Sequence, residues 1–373
     1  TTDKIIALED LISKHKTSEF ADDALFQLGL TYQDIKQASK ATDAFKRLVA
    51  EYPNSDMVNN PLLRLGLVAY NTGNLQTAIN YYKQVFSHQP SKDEADAALA
   101  ALREIYIKNL GDPEGYNAFL ETIPGYKLDN SQKDENAFAA AEAAYEKGNY
   151  ERAITDYTDY IRRYANGVNI LVAYYHRGES YAVLKQYDKA LSDYEWVISK
   201  GAGNRYYVDA LGKAADIAYK GNKDFKKSYD YFVKWEAVAT NAADKFEAQL
   251  GAMRSAYKLG DTNAVQAAAK KVSANASATD EQAAQAHFYL GKIAFDRKEY
   301  DPAMQSFVKV MQMSDNEQTA EARYLIAEIH YQKRNLDKAK QRCLDNNNDN
   351  SNYPYWVGKS LLLLSDVFAE QDD

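Results

Sequence analysis

The fold is decided by one stretch near the middle of the chain, Tyr174–Ala202, with the sequence YYHRGESYAVLKQYDKALSDYEWVISKGA. Tyr174, Gly178 and Tyr181 are spaced i, i+4 and i+7, so they share one face of a helix. The second half repeats this pattern with Ala190, Tyr194 and Val197. Residues 185–188 are too few and too polar to form more than a turn, so the two helices must be antiparallel. The stretch therefore predicts a helical hairpin whose small residues let the two helices approach closely.

The small position of the first helix, which we call the marker, recurs about every 37 residues along the chain. Its occupants are Gly29, Gly66, Arg103, Ala141, Gly178, Ala215, Met253, Gly291, Ala327 and Ser365. A small residue with aromatic neighbours at a fixed period is typical of the tetratricopeptide repeat (TPR), a helical hairpin of ~34 residues. The sequence resembles this family over nearly its whole length. The resemblance implies an all-α fold, a right-handed α-solenoid that forms a superhelix of antiparallel helix pairs.

The repeat pattern predicts a single solenoid over residues 1–373, with nine full repeats and a half repeat at each end. The full repeats cover approximately 20–55, 56–91, 92–130, 131–167, 168–203, 204–241, 242–279, 280–316 and 317–352, and the half repeats cover 3–16 and 355–369. The sequence opens part-way through a repeat, without an initiator Met or a signal peptide. We therefore expect a fragment of a longer chain.

Two repeats depart from the pattern. In the third, the sequence GDPEG at 111–115 replaces the usual turn, and Ile123–Gly125 cuts the second helix short. This predicts a kink or a mobile loop from Pro124 to Lys133. In the sixth, one extra residue in the turn shifts the second-helix pattern one place late, to Phe225, Ser228 and Phe232.

Composition excludes several classes of protein. The chain is 46% hydrophobic and 26% charged, and no run reaches the ~18 to 20 apolar residues of a membrane span, so we expect no direct membrane insertion. A net charge of −8 disfavours nucleic-acid binding, which depends on Lys and Arg at phosphates. It favours a neutral or basic protein partner. The 30 tyrosines suit helices that are buried on one side and open to a groove on the other.

A finer resemblance rests on residues 17–29 and on the sequence EYPNS at 51–55. Both are similar to the TPRs of bacterial outer-membrane-associated proteins, such as the TPR lipoprotein of the β-barrel assembly machine and the TPR coordinator of cell division. The style of the sequence is similar to that of long TPR proteins of Bacteroidetes. The resemblance implies a cell-envelope adaptor, periplasmic or outer-membrane-associated, with a cytoplasmic location as the alternative.

No enzyme signature is present, so we predict no catalytic residue, no cofactor and no metal. The five histidines fall in separate repeats without metal-ligand spacing: His15, His88, His176, His287 and His330. Cys343 occupies a core position of a second helix, which predicts a buried, inert thiol. Residues 345–352 have the composition of a calcium loop but lack its Gly and its final Glu.

The candidate binding site is the inner wall of the solenoid, which the first helices line in this family. Four residues after the markers lie Tyr70, Ile107, Tyr145, Ala182, Tyr219, Tyr257, Phe295 and Tyr331. One residue after them lie Leu67, Glu104, Glu142, Glu179, Asp216, Arg254, Lys292 and Glu328. These positions predict a ladder of rings along a groove that is acidic and then briefly basic. The predicted partner-binding residues are Tyr70, Glu142, Tyr145, Tyr175, Glu179, Asp216, Tyr219, Arg254, Tyr257, Lys292, Phe295 and Tyr331.

Rings and carboxylates together predict a scaffold that binds a protein or peptide with a basic or Pro-rich segment. Ala182 with Glu179 would mark a gap in the ring wall for a bulky or basic side chain. Several alternatives stay open: the rings could instead stiffen the solenoid by packing on the adjacent first helix, and the chain could be an architectural spacer, a self-assembling rod or a carbohydrate-binding protein. A chaperone-tail clamp is disfavoured, because its Lys and Asn positions hold Phe138, Tyr175 and Phe288.

Overall fold

In the computed structural model, which describes residues 2–371, every regular element is helical, so the all-α prediction is confirmed. The α-helices are α1 Thr2–Lys14, α2 Ala21–Asp34, α3 Ala38–Glu51, α4 Asn59–Asn71, α5 Leu75–Val85, α6 Lys92–Arg103, α7 Pro113–Leu120, α8 Asn130–Glu146, α9 Tyr150–Arg163, α10 Ile170–Val183, α11 Tyr187–Ser199, α12 Tyr207–Asp216, α13 Phe225–Val238, α14 Ala242–Leu259, α15 Thr262–Ser273, α16 Asp280–Asp296, α17 Tyr300–Met313, α18 Glu317–Gln332, α19 Leu336–Asp349 and α20 Pro354–Glu370. Two π-helical segments, Glu104–Leu110 and Ile217–Gly221, continue α6 and α12.

The chain divides into two compact units, one ending at Ala173 and the other beginning at Tyr174. Within each unit, consecutive helices pack on each other. Their connections are short, so neighbouring helices are antiparallel. It follows that α12 and α14, the first helices of two successive pairs, run parallel. The boundaries of the nine repeats stay a prediction from the sequence pattern.

The marker residues lie where the two helices of a pair touch. A Cβ placed on Gly66 would lie 2.6 Å from the ring of Tyr82, which is closer than real side chains approach. At Gly178 the corresponding distance to the ring of Tyr194 is 3.1 Å, so this pair is slightly looser. Both rings are buried. The marker is therefore small because the ring of its own second helix occupies the space.

Several first helices begin with a capping box, in which the N-cap and N3 residues each bond the other's backbone N–H. Asp129 accepts from the N–H of Gln132, whose side chain accepts from the N–H of Asp129, so α8 begins at Asn130. The predicted mobile loop up to Lys133 is therefore wrong over residues 130–133. The short second helix of this repeat is confirmed, since α7 ends at Leu120.

The turn inside every helix pair contains one residue in the left-handed backbone conformation. These nine residues are Lys36, Gly73, Gly111, Gly148, Lys185, Lys223, Gly260, Lys298 and Arg334. Non-glycine residues adopt this conformation at a cost of roughly 1 to 2 kcal/mol, which explains the glycines. The other five residues are all cationic and all exposed. In the repeat at Tyr174–Ala202 the turn is shorter than predicted, because α11 already begins at Tyr187.

The extra residue of the sixth repeat is absorbed by the π-helical turn Ile217–Gly221 and the connection after it. A π-turn accommodates one inserted residue inside a helix and is frequent at functional sites. Here it carries Tyr219 and Lys220. None of the helices between residues 2 and 371 combines the length and the apolar character that a membrane span requires.

Candidate binding site on the first helices

All twelve predicted partner-binding residues lie on first helices or on the π-turn that continues one of them. Three belong to the first unit: Tyr70 on α4 and Glu142 and Tyr145 on α8. The other nine belong to the second unit: Tyr175, Glu179, Asp216, Tyr219, Arg254, Tyr257, Lys292, Phe295 and Tyr331. The second unit therefore carries most of the candidate site.

The predicted ladder rings make specific contacts within the protein. Three of them meet, edge to face, the ring that opens the second helix of their own repeat: Tyr145 with Tyr150 at 6.1 Å, Tyr219 with Phe225 at 5.4 Å and Phe295 with Tyr300 at 6.1 Å between centroids. Tyr70 packs against the core of the first unit. These rings close the end of the helix hairpin, a packing role that the sequence analysis did not consider.

Two other ladder rings contact the adjacent first helix, as the packing alternative predicts. Tyr257 stacks on Tyr289 of α16 with 4.0 Å between centroids, although 41% of its surface stays exposed. The Tyr331 hydroxyl donates to Glu370 of α20 at 2.6 Å. Tyr175 is buried, its ring stacks on Tyr206, and its hydroxyl donates a hydrogen bond to Asp209. Its pKa is raised, mainly because the ring is buried. Whether the exposed ring edges bind a partner stays a prediction.

Two of the charged residues that follow a marker, Arg254 and Lys292, form polar bridges to the next first helix. Their partner lies six residues before the marker of the next repeat. On α14, Arg254 donates through Nε to Gln285 of α16 at 3.0 Å. On α16, Lys292 donates through Nζ to Glu321 of α18 at 2.7 Å. The charges that were predicted to form an acidic and then basic groove are therefore partly neutralised within the protein.

The interface between α10 and α12 has a carboxylate at both of these positions, Glu179 and Asp209. Lys213, which lies two residues before the marker of α12, bridges them: its Nζ lies 2.8 Å from Glu179 and 3.7 Å from Asp209. Both carboxylates and the ammonium of Lys213 are half-buried or exposed. The ammonium also lies over the ring of Tyr175, and this contact adds to the packing. This interface is closed by one internal cation.

The interface between α12 and α14 instead contains a cavity of about 340 Å³. Its apolar wall includes the rings of Phe232 and Trp235, which reach it from the second helix α13. Gly212 and Gly251 on the two first helices also line it. A Cβ on Gly212 would lie 3.3 Å from Trp235, and one on Gly251 only 2.3 Å from Phe232. The rings are reached through the gap that these two glycines leave.

Six charged residues line the same cavity: Asp209, Lys213, Asp216, Lys220, Glu247 and Arg254. Asp216 accepts from Lys220 at 2.8 Å, but both side chains are more than half exposed, so this pair is weak. The exposed side chain of Glu247 makes no hydrogen bond or ion pair with any residue in the described range 2–371. Tyr219 completes the lining together with Leu250.

The structure brings three predicted residues, Asp216, Tyr219 and Arg254, together in this cavity. Ala182 and Glu179 do not line it, and the gap predicted at those two residues stays a prediction. The sequence analysis missed Gly212, Gly251 and the rings below them. A signal was present, because both glycines lie inside a first helix but away from the marker, where glycine costs about 1 kcal/mol relative to alanine.

Among residues 2–371, no group of three or more His, Cys, Asp or Glu side chains is placed to hold a metal ion. Cys343 is fully buried, as predicted, and burial raises its pKa to about 11, so the thiolate nucleophile is disfavoured. His287 is buried, and burial, aided by the charge of Lys309, lowers its pKa.

Comparisons with known proteins agree with this architecture. Family models described as tetratricopeptide repeat match residues 23–55, 62–92, 138–222 and 250–311, together more than half of the chain. No curated protein sequence matches it.

Among solved structures, the chain is similar to a tetratricopeptide repeat protein from Parabacteroides merdae, with 18% identity, a TM-score of 0.27, and coverage of 82% of this chain and 97% of that one. It is also similar to the C-terminal part of a TPR protein from Cytophaga hutchinsonii, with 14% identity, a TM-score of 0.39, and coverage of 70% and 98%. A third is YrrB, described as a TPR protein with an unusual peptide-binding site, with 16% identity, a TM-score of 0.40, and coverage of 54% and 96%. Likenesses this low support no statement about function.

Proposed function

The chain belongs to the tetratricopeptide repeat family, and from this premise we propose that the first helices of its second unit bind a segment of a partner protein. Proteins of this family generally serve as non-catalytic scaffolds, with extended surfaces on which other proteins bind. The proposal includes no catalytic step and no cofactor. The partner segment lies along α12 and α14, with one side chain inserted between them.

The observation that carries this proposal is the cavity between α12 and α14. Binding pockets combine an apolar wall with a few polar groups that fix orientation, and aromatic rings dominate the energy of protein interfaces. Here the rings of Phe232 and Trp235 supply the apolar wall, and Asp216, Glu247 and Arg254 supply the polar groups. Its volume of about 340 Å³ lies at the small end of ligand pockets, which suits one side chain rather than a whole small molecule.

The surface around the cavity supports a partner segment that extends beyond it. Tyr257 lies one helical turn after Arg254 on α14 and keeps 41% of its surface exposed. Tyr219 lines the cavity on the opposite side. Exposed tyrosine rings offer large contact area with a hydroxyl that reaches a backbone group. They also suit a Pro-rich flank, which packs on aromatic surfaces.

The test fills the cavity without removing a charge. Gly212→Leu places an isobutyl group in the opening, and its Cβ, 3.3 Å from Trp235, requires that ring to give by a few tenths of an ångström. Since leucine is a better helix former than glycine, we expect the variant to fold. Proteins captured from the native cell extract by the wild-type chain should be lost with Gly212→Leu.

The matched control is Gly358→Leu, where a Cβ on α20 meets nothing within 4 Å. It adds the same side chain to another first helix and should leave capture unchanged. If Gly212→Leu folds and retains every captured protein, the cavity is not the binding site. That result would favour an architectural spacer.

The proposed setting is the cell envelope, where the chain would act as an adaptor in the periplasm or at the outer membrane. Its support is the similarity of residues 17–29 and 51–55 to the repeats of outer-membrane-associated TPR proteins. Fractionation of native cells, followed by detection of the full-length protein, tests this location. Recovery in the cytoplasmic fraction would contradict it.

A further inference from the structure

The interfaces on the two sides of α12 have carboxylates at the same two positions but a different type of residue at a third position. Between α10 and α12, the two carboxylates Glu179 and Asp209 are bridged by Lys213, two residues before the marker. Between α12 and α14, the corresponding carboxylates are Asp216 and Glu247. The position of the bridging lysine is occupied by Gly251. The second interface therefore repeats the acidic pair of the first but lacks its cation.

Nothing within the described residues replaces this cation fully. Asp216 has only the exposed Lys220, four residues along the same chain segment, and Glu247 has no partner between residues 2 and 371. At the next two interfaces along the second unit, the two positions hold a donor and an acceptor, Arg254 with Gln285 and Lys292 with Glu321. Two carboxylates that line one cavity repel each other, and a cation between them relieves the repulsion. The absent side chain also leaves the space that forms the cavity.

We infer that a lysine side chain of the partner enters this cavity and bridges Asp216 and Glu247, as Lys213 bridges Glu179 and Asp209. The inference rests on the proposed function and specifies the residue that the partner inserts. The four-carbon stem of a lysine packs on apolar surface while its ammonium reaches a polar group. In the cavity, the rings of Phe232 and Trp235 provide that surface. A cation close to an indole ring gains further stabilisation.

Three cations already line the cavity, but each has a partner of its own. Lys213 is held by Glu179 of α10 at 2.8 Å. Arg254 donates through Nε to Gln285, on α16. Of these three cations, Lys220 alone bonds one of the two carboxylates, Asp216, and its side chain is 71% exposed. An entering lysine competes with this solvent-screened contact, which is worth little.

The test uses three pentapeptides that differ only in the central residue: acetyl-Gly-Gly-Lys-Gly-Gly-amide and the same peptide with norleucine or Glu. The chain has three tryptophans, so its indole N–H groups give three NMR signals, and the Trp235→Phe variant identifies that of Trp235. We expect the Lys peptide to shift the Trp235 signal in a saturable manner. Norleucine, which has the same stem without the charge, should bind about tenfold more weakly, and the Glu peptide should not bind.

The double variant Asp216→Asn, Glu247→Gln should weaken binding of the Lys peptide about tenfold, the equivalent of one lost charge-assisted contact. The control Asp296→Asn, Glu299→Gln removes the same charge from the exposed turn between α16 and α17 and should bind as the wild type does. Equal binding of Lys and norleucine peptides, tighter binding of the Glu peptide, or full binding by the first double variant would overturn the inference. Suppose that one of these results overturns the inference. If Gly212→Leu still abolishes capture of the partner, the cavity binds a partner of different chemistry. If Gly212→Leu leaves capture unchanged, the proposed function itself fails.

Discussion

The two interfaces of α12 show how a repeat protein can build a structural contact and a binding site from the same positions. On the α10 side, Lys213 fills the space and neutralises two carboxylates. On the α14 side, glycine replaces the lysine, and the rings of the second helix become reachable. The repeat pattern that determines the fold is the same on both sides. The difference lies in a position that the fold does not constrain, which is where function can vary.

The largest expected effect comes from the closed side, in the helix pair α10 and α11. Arg177 donates two hydrogen bonds to Asp193 at 2.8 and 2.7 Å, with side-chain exposures of only 14% and 5%. Asp193→Asn would remove the carboxylate that accepts both bonds from the buried guanidinium and should lower the free energy of unfolding by about 3 kcal/mol. Urea denaturation followed by circular dichroism measures this loss.

The control for this variant is Asp230→Asn on α13. Its partner Lys226 is 64% exposed, so the loss should stay below about 0.5 kcal/mol. Equal losses in the two variants would show that α10 is not anchored by the buried pair.

The second prediction contrasts the two glycines of the open side. Gly251→Ala places a Cβ 2.3 Å from the Phe232 ring, so the ring must move, and we expect a loss of about 2 kcal/mol. Gly212→Ala meets Trp235 at 3.3 Å and removes a glycine from a helix interior, so a gain of up to about 1 kcal/mol is expected. Thermal unfolding of both variants should show shifts of opposite sign. Shifts of the same sign would mean that the rings are freer than their packing indicates.

The smallest effect is expected from opening the closed interface. Lys213→Met retains the stem but removes the cation, which leaves Glu179 and Asp209 without their bridge. Because the lysine side chain is 36% exposed, solvent screening limits the expected loss to about 1 kcal/mol. Lys220→Met, at a side chain that is 71% exposed, should change stability by less than about 0.3 kcal/mol. If the two variants lose the same amount, Lys213 does not bridge the helices in solution.

The helix pairs could be predicted from sequence because their cause is local. The marker must be small wherever a ring of the same hairpin packs against it, as Tyr82 does on Gly66, and the same contact recurs at Gly29, Gly178 and Gly291. The start of α8 was predicted too late, although Asp129 and Gln132 have the spacing of a capping box.

The cavity could not be predicted in the same way, because it depends on the register between repeats. The sequence shows that Asp216 follows a marker and that Gly251 and Lys213 both lie two residues before one, but only the packed helices show that Asp216 and Glu247 line one cavity. The ring positions illustrate the same limit. Tyr219 was predicted to face a groove, and the structure adds that it packs on Phe225 of its own hairpin while it also lines the cavity.

The left-handed turns have a consequence for how the chain can be cleaved. Five of the nine turns present an exposed Lys or Arg at the tip between two helices, and exposed tips are the preferred sites of proteolytic nicking. Trypsin cleaves after these residues and would separate the two helices of a hairpin, whereas turns built on glycine offer it no cationic residue at that position. Limited digestion with trypsin therefore distinguishes a cationic hairpin, such as the one that turns at Lys185, from the glycine hairpin that turns at Gly73, which has no Lys or Arg between residues 71 and 75.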